Sequence, residues 1–267
     1  MDYSSFRSVE VEVESQVATV KIVPYGVDMQ SKDRHWELGE LFSQLRGDDS
    51  VRIVVLTGQG DAFLTPPTTA SGHPAKHYTD PKLSWQIFTG LVRCHETMAL
   101  MEKPIVAKVN GDAIGLGANL VFASDLIVAV KKARLADHHL GMGDVEGIPV
   151  EWGVLPGDGG LARMPMLMTP PRAKEYLMLA REYNAVELEA MGAINYAVEP
   201  EELDQRVDQM VAALLRRPAY SLAWTKRLAN KAIVAHLHSV LDAGIAYEMV
   251  DFFHLEKMDG KNILTLE

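Results

Sequence analysis

Two short apolar runs constrain this chain more than any other feature of its sequence. They are "VRIVVLTGQG", from position 51, and "PIVAKVN", from position 104. Runs this short, continuous and rich in β-branched residues are typical of strands that are covered on both faces. Helix-like spacing lies between and after them, so the sequence predicts an α/β body with buried strands.

The other elements follow in a simple order along the chain. Residues 9–23 alternate apolar and polar side chains, which predicts a hairpin of half-buried strands. Residues 65–82 are rich in Pro, Thr and Gly and are predicted to form a loop, and the glycine-rich region 140–160 is predicted to be irregular and to build sites. Strands are further predicted at 126–130 and 133–137, and helices at 34–48, 83–102, 171–181, 184–192, 201–217 and 219–257.

Composition argues against several classes of function. The 267 residues carry a net charge of −10, which disfavours nucleic acid or an anionic membrane as the main partner. Cys94 is the only cysteine, so no intrachain disulfide can form and the cytoplasm is the expected compartment. This cysteine lies on an apolar helical stripe and is predicted to be a core residue. We expect neither a signal peptide nor a membrane span.

Common catalytic motifs do not fit the sequence. The stretch "GQGDAF" lacks the third glycine of a dinucleotide-binding turn, and neither a P-loop nor a serine nucleophile elbow occurs. His138 and His139 are adjacent, so on a strand they would point in opposite directions. His236 and His238 are two apart on a helix, which is equally poor geometry for one metal ion. No metal site is predicted.

The stretch "PIVAKVNGDAIGLGANL" places Gly115 and Gly117 at the first turn of a predicted helix. Glycine in a helix costs about 1 kcal/mol relative to alanine. This cost is usually offset in one of two ways. Glycine allows another part of the backbone to approach closely, or it leaves a free N–H that faces an anion at a helix N-terminus. The stretch is therefore a candidate for holding a negative charge, with tight helix–strand packing as the alternative.

Four segments form an ordered set: "VVLTGQGDAF", "KPIVAKVNGDAIGLGANLVFASDLIVA", "GVLPGDGG" and "RAKEYLML…NAVELEAMGAINYAV". Together they resemble the crotonase (enoyl-CoA hydratase/isomerase) superfamily. The resemblance implies an α/β spiral of ββα repeats over residues 1–198, and a helical C-terminal region over 199–267 that serves trimer assembly. A homotrimer or a dimer of trimers is the expected assembly.

The resemblance also implies an oxyanion hole for a carbonyl substrate. The first donor would be the backbone N–H of Leu116, flanked by Gly115 and Gly117, which would contact the substrate together with Asn119. A preorganised N–H at a positive helix end stabilises an enolate as it forms. We therefore expect these four residues to line the substrate site.

The second oxyanion donor departs from the family pattern. At the matching position the chain has Pro67, which has no N–H to donate. The resemblance then leaves Thr68 or Thr69 to supply the donor from a rearranged loop, with Pro67 beside the substrate. His73 and His77 follow in the same loop and are expected to face solvent or to serve a lid.

The two glutamates of the family's hydratases are missing. Asn119 stands where the first would be, and it cannot act as an acid or a base. The position of the second glutamate falls near His139. Because the loop that follows is long, Glu151 is a candidate to take the place of that glutamate in space. A two-glutamate hydratase is therefore disfavoured.

One branch of the superfamily is closer, the β-diketone hydrolases of the 6-oxocamphor hydrolase type. Their pattern of histidine, aspartate and late-helix glutamate matches His139, Asp158 and Glu248. A histidine of near-neutral pKa would activate water, and a carboxylate would orient its ring. That branch also has a histidine where this chain has Gly117 and a tryptophan where it has Gln30, so the similarity is partial.

These residues predict an enzyme that stabilises an enolate and adds water to, or hydrolyses, an acyl-CoA or related carbonyl compound. His139, Asp158 and Glu248 would carry the chemistry, and Glu151 is the fourth candidate. Coenzyme A would enter as part of the substrate, with Lys226 a candidate phosphate contact or simply a solvated lysine, and no other cofactor is expected. The alternatives are CoA-independent retro-Claisen hydrolysis of cyclic β-diketones and a non-catalytic binding member of the family.

Overall fold

The computed structural model describes residues 1–26, 33–66, 80–140 and 153–257. Its strands are β1 (Val9–Glu14), β2 (Val17–Ile22), β3 (Ile53–Gly58), β4 (Ile105–Val109), β5 (Ala113–Ile114), β6 (Leu126–Val130), β7 (Arg134–Ala136), β8 (Tyr183–Asn184) and β9 (Tyr196–Val198). Its helices are α1 (Arg34–Gly47), α2 (Pro81–Leu100), α3 (Leu116–Ala123), α4 (Gly160–Leu167), α5 (Pro170–Met178), α6 (Ala185–Ala190), α7 (Leu203–Leu215), α8 (Ala219–Ala229) and α9 (Lys231–Lys257), with a 3₁₀ turn at Pro200–Glu202.

Six of these strands form the main sheet, in the order β1-β2-β3-β4-β6-β9. Only the β1–β2 hairpin is antiparallel, and every other pair in this sheet is parallel. All six residues of β3 are buried. The two apolar runs that opened the sequence analysis are β3 and β4, and their prediction as covered strands is confirmed.

A second, smaller sheet has the order β5-β7-β8. The parallel pair β5–β7 matters most for the site, because the chain leaves β5 into α3 and leaves β7 into residues 137–139. Strand β7 was predicted, whereas the two-residue strands β5 and β8 and the short β9 were not. Strands this short give too few alternating positions to show a period.

Helix starts are set by acidic caps at two places. The side chain of Asp33 accepts from the N–H of His35, and that of Asp80 accepts from Lys82 and Leu83. Pro81 occupies the first turn of α2, where its missing N–H costs nothing. Helix α2 therefore begins two residues before the predicted start at position 83.

The sequence analysis missed α4, which carries "GLARMPML" directly after the glycine-rich region. Pro165 inside the segment and three glycines before it obscured the helical period. The helix predicted over 219–257 is divided at Asn230 into α8 and α9. Cys94 is buried in the core, as predicted.

The chain from Leu203 to Lys257 is helical apart from short breaks, which agrees with the predicted helical C-terminal third. The division at residues 198 and 199 and the role of this region in a trimer stay predictions. None of the helices in the described ranges is long and apolar enough to cross a membrane.

Candidate active site

Four segments meet at one buried place in the fold. They are the start of α3, the residues that follow β7, the turn before α4, and the middle of α9. The N–H of Gly115 donates to the carbonyl oxygen of Ala136 at 2.9 Å, which ties the start of α3 to the end of β7. This bond places the glycine turn beside residues 137–139.

The centre of the site is an aspartate–histidine pair. The Nδ1–H of His139 donates to Oδ1 of Asp137 at 2.5 Å, and the backbone N–H of His139 donates to the same oxygen at 3.2 Å. Asp137 is fully buried, and the His139 side chain is 14% exposed. The two bonds fix the ring orientation and leave Nε2 as the atom that is available for proton transfer.

Nε2 of His139 faces two further carboxylates. It lies 3.3 Å from Oε1 of Glu248 and 3.6 Å from Oδ2 of Asp158. The three residues that the sequence predicted to act together therefore meet, although 109 positions separate the first from the last. Sequence reasoning missed the fourth member, Asp137.

Asn119 belongs to the same cluster. Its Nδ2 donates to Oδ1 of Asp158 at 2.5 Å and lies 3.5 Å from Oδ2 of Asp137. Its Oδ1 is buried and has no hydrogen-bond partner. Nδ2 of Asn119 therefore joins two carboxylates of the cluster, and the predicted contact of Asn119 with the substrate stays a prediction.

Asp158 is held by a second buried histidine that the sequence analysis did not single out. Nε2–H of His95 donates to the backbone carbonyl of Asp158 at 2.9 Å. Burial lowers the pKa of His95 to about 3, and the nearby Arg163 adds to this effect, so the ring is neutral. Gly159, at φ +127°, lies against this ring, since a Cβ there would stand 2.4 Å from it. The "PGDGG" turn therefore keeps its glycine for close approach.

Glu248 reaches the site because α9 packs closely on the same turn. A Cβ on Gly157 would lie 2.4 Å from the carbonyl oxygen of Gly244 and 2.8 Å from Oε2 of Glu248. The N–H of Leu155 also donates to Oδ2 of Asp251 at 2.9 Å. Oε2 of Glu248 is buried with no hydrogen-bond partner, so it is a vacant acceptor.

Burial and mutual charge shift the pKa values of His139, Asp158 and Asp137. Burial alone would lower the pKa of His139, but the charges of Asp158 and Asp137 raise it well above its ordinary value. Burial raises the pKa of Asp158 to about 7, with Asp137 and Glu248 adding to the shift. Burial alone would raise the pKa of Asp137, but the positive charge of His139 and the hydrogen bonds from His139 and Asn119 together lower it. The carboxyl group of Asp158 can therefore carry a proton near neutral pH.

We expect Asp158→Asn to lower the pKa of His139. The substitution removes the charge that contributes most to the raised value and keeps an oxygen for the Asn119 bond. The pH dependence of the ¹H–¹⁵N spectrum of the imidazoles measures the shift. His138→Gln is the control, because His138 pairs with Glu182 instead. An unchanged His139 pKa in Asp158→Asn would contradict the proposed coupling.

A second aspartate–histidine pair lies near the first. Nδ1–H of His35 donates to Oδ1 of Asp33 at 2.6 Å, and the backbone N–H of His35 donates to the same oxygen at 2.8 Å. The negative charges of Asp33, Asp158 and Glu248 raise the pKa of His35 above its ordinary value, against the effect of burial. The pattern Asp-x-His occurs at both places, and this spacing could have identified Asp137 and His35 from the sequence.

The two glycines of the opening helix have different roles. Gly115 is the N-cap of α3 at φ +59°, a conformation that disfavours other residues. A Cβ on Gly117 would lie 2.3 Å from the carbonyl oxygen of Leu64, so this glycine permits helix–strand packing. The histidine that the diketone hydrolases carry at this position does not fit here without a backbone shift.

The remaining predicted residues are Lys226, Leu116 and a group that the structure does not describe. Lys226 is neither solvated nor free to bind a phosphate, because it is 7% exposed and pairs with Asp125 at 2.6 Å. That prediction was wrong. Leu116 is the first residue of α3, where its N–H has no acceptor within the helix. The following predicted residues lie outside the described residues: Gln30, Pro67, Thr68, Thr69, His73, His77 and Glu151.

Three residues of the cluster are close enough to share a cation. Asp137, His139 and Asp158 each offer one ligand atom, and these atoms lie within 4.8 Å of one another. Oδ1 of Asp137 and Nδ1 of His139 are already bonded to each other, and Oδ1 of Asp158 already accepts from Asn119. Each of these bonds competes with a cation for a ligand atom, and the predicted lack of a metal stays a prediction.

Comparison with known proteins agrees with this architecture. The model of the enoyl-CoA hydratase/isomerase family matches residues 16–259. A crotonyl-CoA hydratase of Syntrophomonas wolfei is 27% identical over 236 residues, which cover 86% of this chain and 84% of that protein. A carnitinyl-CoA dehydratase of Escherichia coli O157:H7 is 26% identical over 225 residues, covering 83% and 80%.

Solved structures show the same fold. An enoyl-CoA hydratase/isomerase from Mycobacterium paratuberculosis superimposes with a TM-score of 0.80 at 25% identity and covers 94% of this chain and 95% of its own. A β-diketone hydrolase from the cyanobacterium Anabaena superimposes with a TM-score of 0.79 at 18% identity, covering 95% and 97%. The chain has the predicted crotonase fold, and it belongs to the enoyl-CoA hydratase/isomerase family of the crotonase superfamily.

Proposed function

We propose that this chain is an enzyme that adds water to a carbonyl-activated substrate, with His139 and Asp158 as its proton-transfer pair. The observation that carries the proposal is the position of His139 Nε2, 3.3 Å from Glu248 and 3.6 Å from Asp158, with Nδ1 held by Asp137. A ring fixed at Nδ1 and open at Nε2 is the arrangement that general acid–base catalysis requires.

The first step is the activation of water. In the reactive form of the pair, Asp158 carries the shared proton and Nε2 of His139 is unprotonated. Water then attacks the substrate as its proton passes to Nε2. The vacant oxygen of Glu248 lies in the same cluster and can accept a hydrogen bond from this water.

The second step is the protonation of an enolate. Negative charge that develops on the substrate oxygen would be stabilised by the N–H of Leu116 at the start of α3. The second donor of the oxyanion hole is proposed to be Thr68. Asp158 then donates its proton to the enolate carbon, and the proton on His139 returns the pair to its starting state.

An acyl-CoA thioester is the first substrate class to consider. The hydratase and dehydratase similar to this chain are named for such thioesters. On an enoyl thioester, water would add at the β-carbon and the α-carbon would take the proton. Neither catalytic glutamate of a standard hydratase is needed for this route, and no cofactor is proposed beyond the CoA of the substrate.

A β-diketone is the second substrate class, and a specific observation favours it. The site has histidine, aspartate and glutamate together, and Lys226 is occupied by Asp125 rather than free for a CoA phosphate. One solved neighbour is a β-diketone hydrolase. Water would attack one carbonyl carbon, the bond to the central carbon would break, and the products would be a carboxylic acid and a ketone formed from the enolate.

Calorimetric titration with CoA and acetyl-CoA separates the two classes. Micromolar binding of both ligands, followed by loss of the ultraviolet absorbance of the conjugated thioester when crotonyl-CoA is hydrated, would support the thioester route. No binding at millimolar ligand, together with hydrolysis of cyclic 1,3-diketones, would support the second route.

The control variant is His138→Gln, whose side chain pairs with Glu182 outside the cluster. It should retain the wild-type rate on whichever substrate reacts. A chain that binds a ligand of either class but turns over none would contradict the proposed function and favour a non-catalytic member of the family.

A further inference from the structure

A second cavity, separate from the catalytic cluster, lies between the core and the C-terminal helices. Its volume is about 370 Å³, and it is bounded by the end of α3, by α4 and by α7 to α9. This volume lies in the range of about 300–1,000 Å³ that is typical of small-molecule sites. No residue of the catalytic cluster described above lines it.

Most of the cavity wall is apolar. Apolar side chains from five helices and from strand β6 contribute to it, among them Phe122, Leu167, Leu222 and Ile233. An apolar wall of this kind favours the aliphatic or aromatic body of a ligand over a small hydrated ion.

One ion pair at the cavity is complete within the protein. Nζ of Lys226 lies 2.6 Å from Oδ2 of Asp125 and donates to the carbonyl oxygen of Lys103 at 2.9 Å. Oδ2 of Asp125 also accepts from the N–H of Ile105 at 2.7 Å. Because these groups satisfy one another, they neither require nor repel an additional charge.

Arg163 is different, because it lines the cavity and none of the ion pairs within 4 Å in the described residues includes it, although the negative charge of Asp125 acts on it from farther away. It is 4% exposed, its Nε has no hydrogen-bond partner, and one terminal nitrogen donates to the carbonyl of His95 at 3.3 Å. Burial lowers its pKa to about 10. A buried guanidinium is costly unless an anion pairs with it.

We propose that this cavity binds an amphipathic monocarboxylate, with its carboxylate on the guanidinium of Arg163 and its hydrocarbon body against the apolar wall. A carboxylate at the cavity side of the guanidinium would supply the opposite charge that this buried cation lacks within ion-pair distance. This site is additional to the substrate site, and its ligand need not be a substrate.

Calorimetric titration of the full chain with octanoate tests the proposal, with octan-1-ol as the neutral probe. We expect saturable binding of octanoate at one site per chain and at least about tenfold weaker binding of octan-1-ol. Arg163→Gln should weaken the binding of octanoate by at least about tenfold and leave the binding of octan-1-ol unchanged.

A second variant keeps the test valid if Arg163→Gln fails to fold. Ala229 lines the cavity from the exposed end of α8, so Ala229→Phe should fill the cavity and abolish octanoate binding. Leu228→Phe, next to it but 62% exposed and absent from the wall, is the matched control and should bind normally. Equal affinity for octanoate and octan-1-ol, no binding of octanoate, or full binding by Ala229→Phe would each overturn the proposal.

Discussion

Replacing His139 with glutamine is expected to lower kcat by about 10²- to 10⁴-fold on the substrate that the wild-type chain converts, because general acid–base catalysis contributes a factor of this size. Glutamine keeps an amide that can donate to Asp137 but cannot exchange a proton with Asp158. The pH–rate profile should also lose the dependence that comes from the shared proton. Steady-state kinetics from about pH 5 to 10 measure both effects.

The adjacent histidine is the control for this experiment. His138 shares the same chain segment but pairs with Glu182 at 2.9 Å, so His138→Gln should retain activity within about threefold. Thermal melting should show that both variants remain folded. Activity of His139→Gln close to that of the wild type would remove His139 from the mechanism and shift the role of base to a carboxylate of the cluster.

Replacing Gly117 with alanine is expected to destabilise the fold by about 3 kcal/mol, the upper part of the usual range for overpacking. A Cβ at this position would lie 2.3 Å from the carbonyl oxygen of Leu64, and a backbone carbonyl cannot rotate away as a side chain can. The start of α3 would move with it and change the position of the Leu116 N–H. Urea denaturation measures the free energy of unfolding.

Gly47→Ala is the matched control, because Gly47 closes α1 and a Cβ there meets only Met1 at 3.7 Å. It should leave the protein as stable or slightly more stable, since alanine favours helices. Equal stability of Gly117→Ala and Gly47→Ala would mean that close packing does not explain Gly117, and the free N–H at the helix start would then be the remaining reason for the glycine.

The fold could be predicted because its signals are local. Strands β3 and β4 are apolar runs, and the start of α2 was predicted two residues late because its cap Asp80 and its first residue Pro81 were assigned to the preceding loop. The strands that could not be predicted have two or three residues, too few to show a period. Helix α4 was hidden by Pro165, which departs from the expected composition of a helix.

The candidate site was predictable only in part, for a different physical reason. His139, Asp158 and Glu248 were found through a family pattern, which records distant contacts that spacing alone does not contain. Asp137 was overlooked, although it is two residues from His139. The burial of Lys226 depends on helix α8 packing over Asp125, and no local feature of "AWTKRLANK" indicates it.

The position of Glu248 on α9 has a consequence for how the protein matures on the ribosome. Chains are synthesised from the N-terminus, so the sheet, α3 and the 137–139 segment are available before α9 has been translated. Leu155 and Gly157 gain their α9 contacts only when that helix docks. A nascent chain is thus expected to be catalytically silent until α9 has left the exit tunnel and docked on the turn before α4.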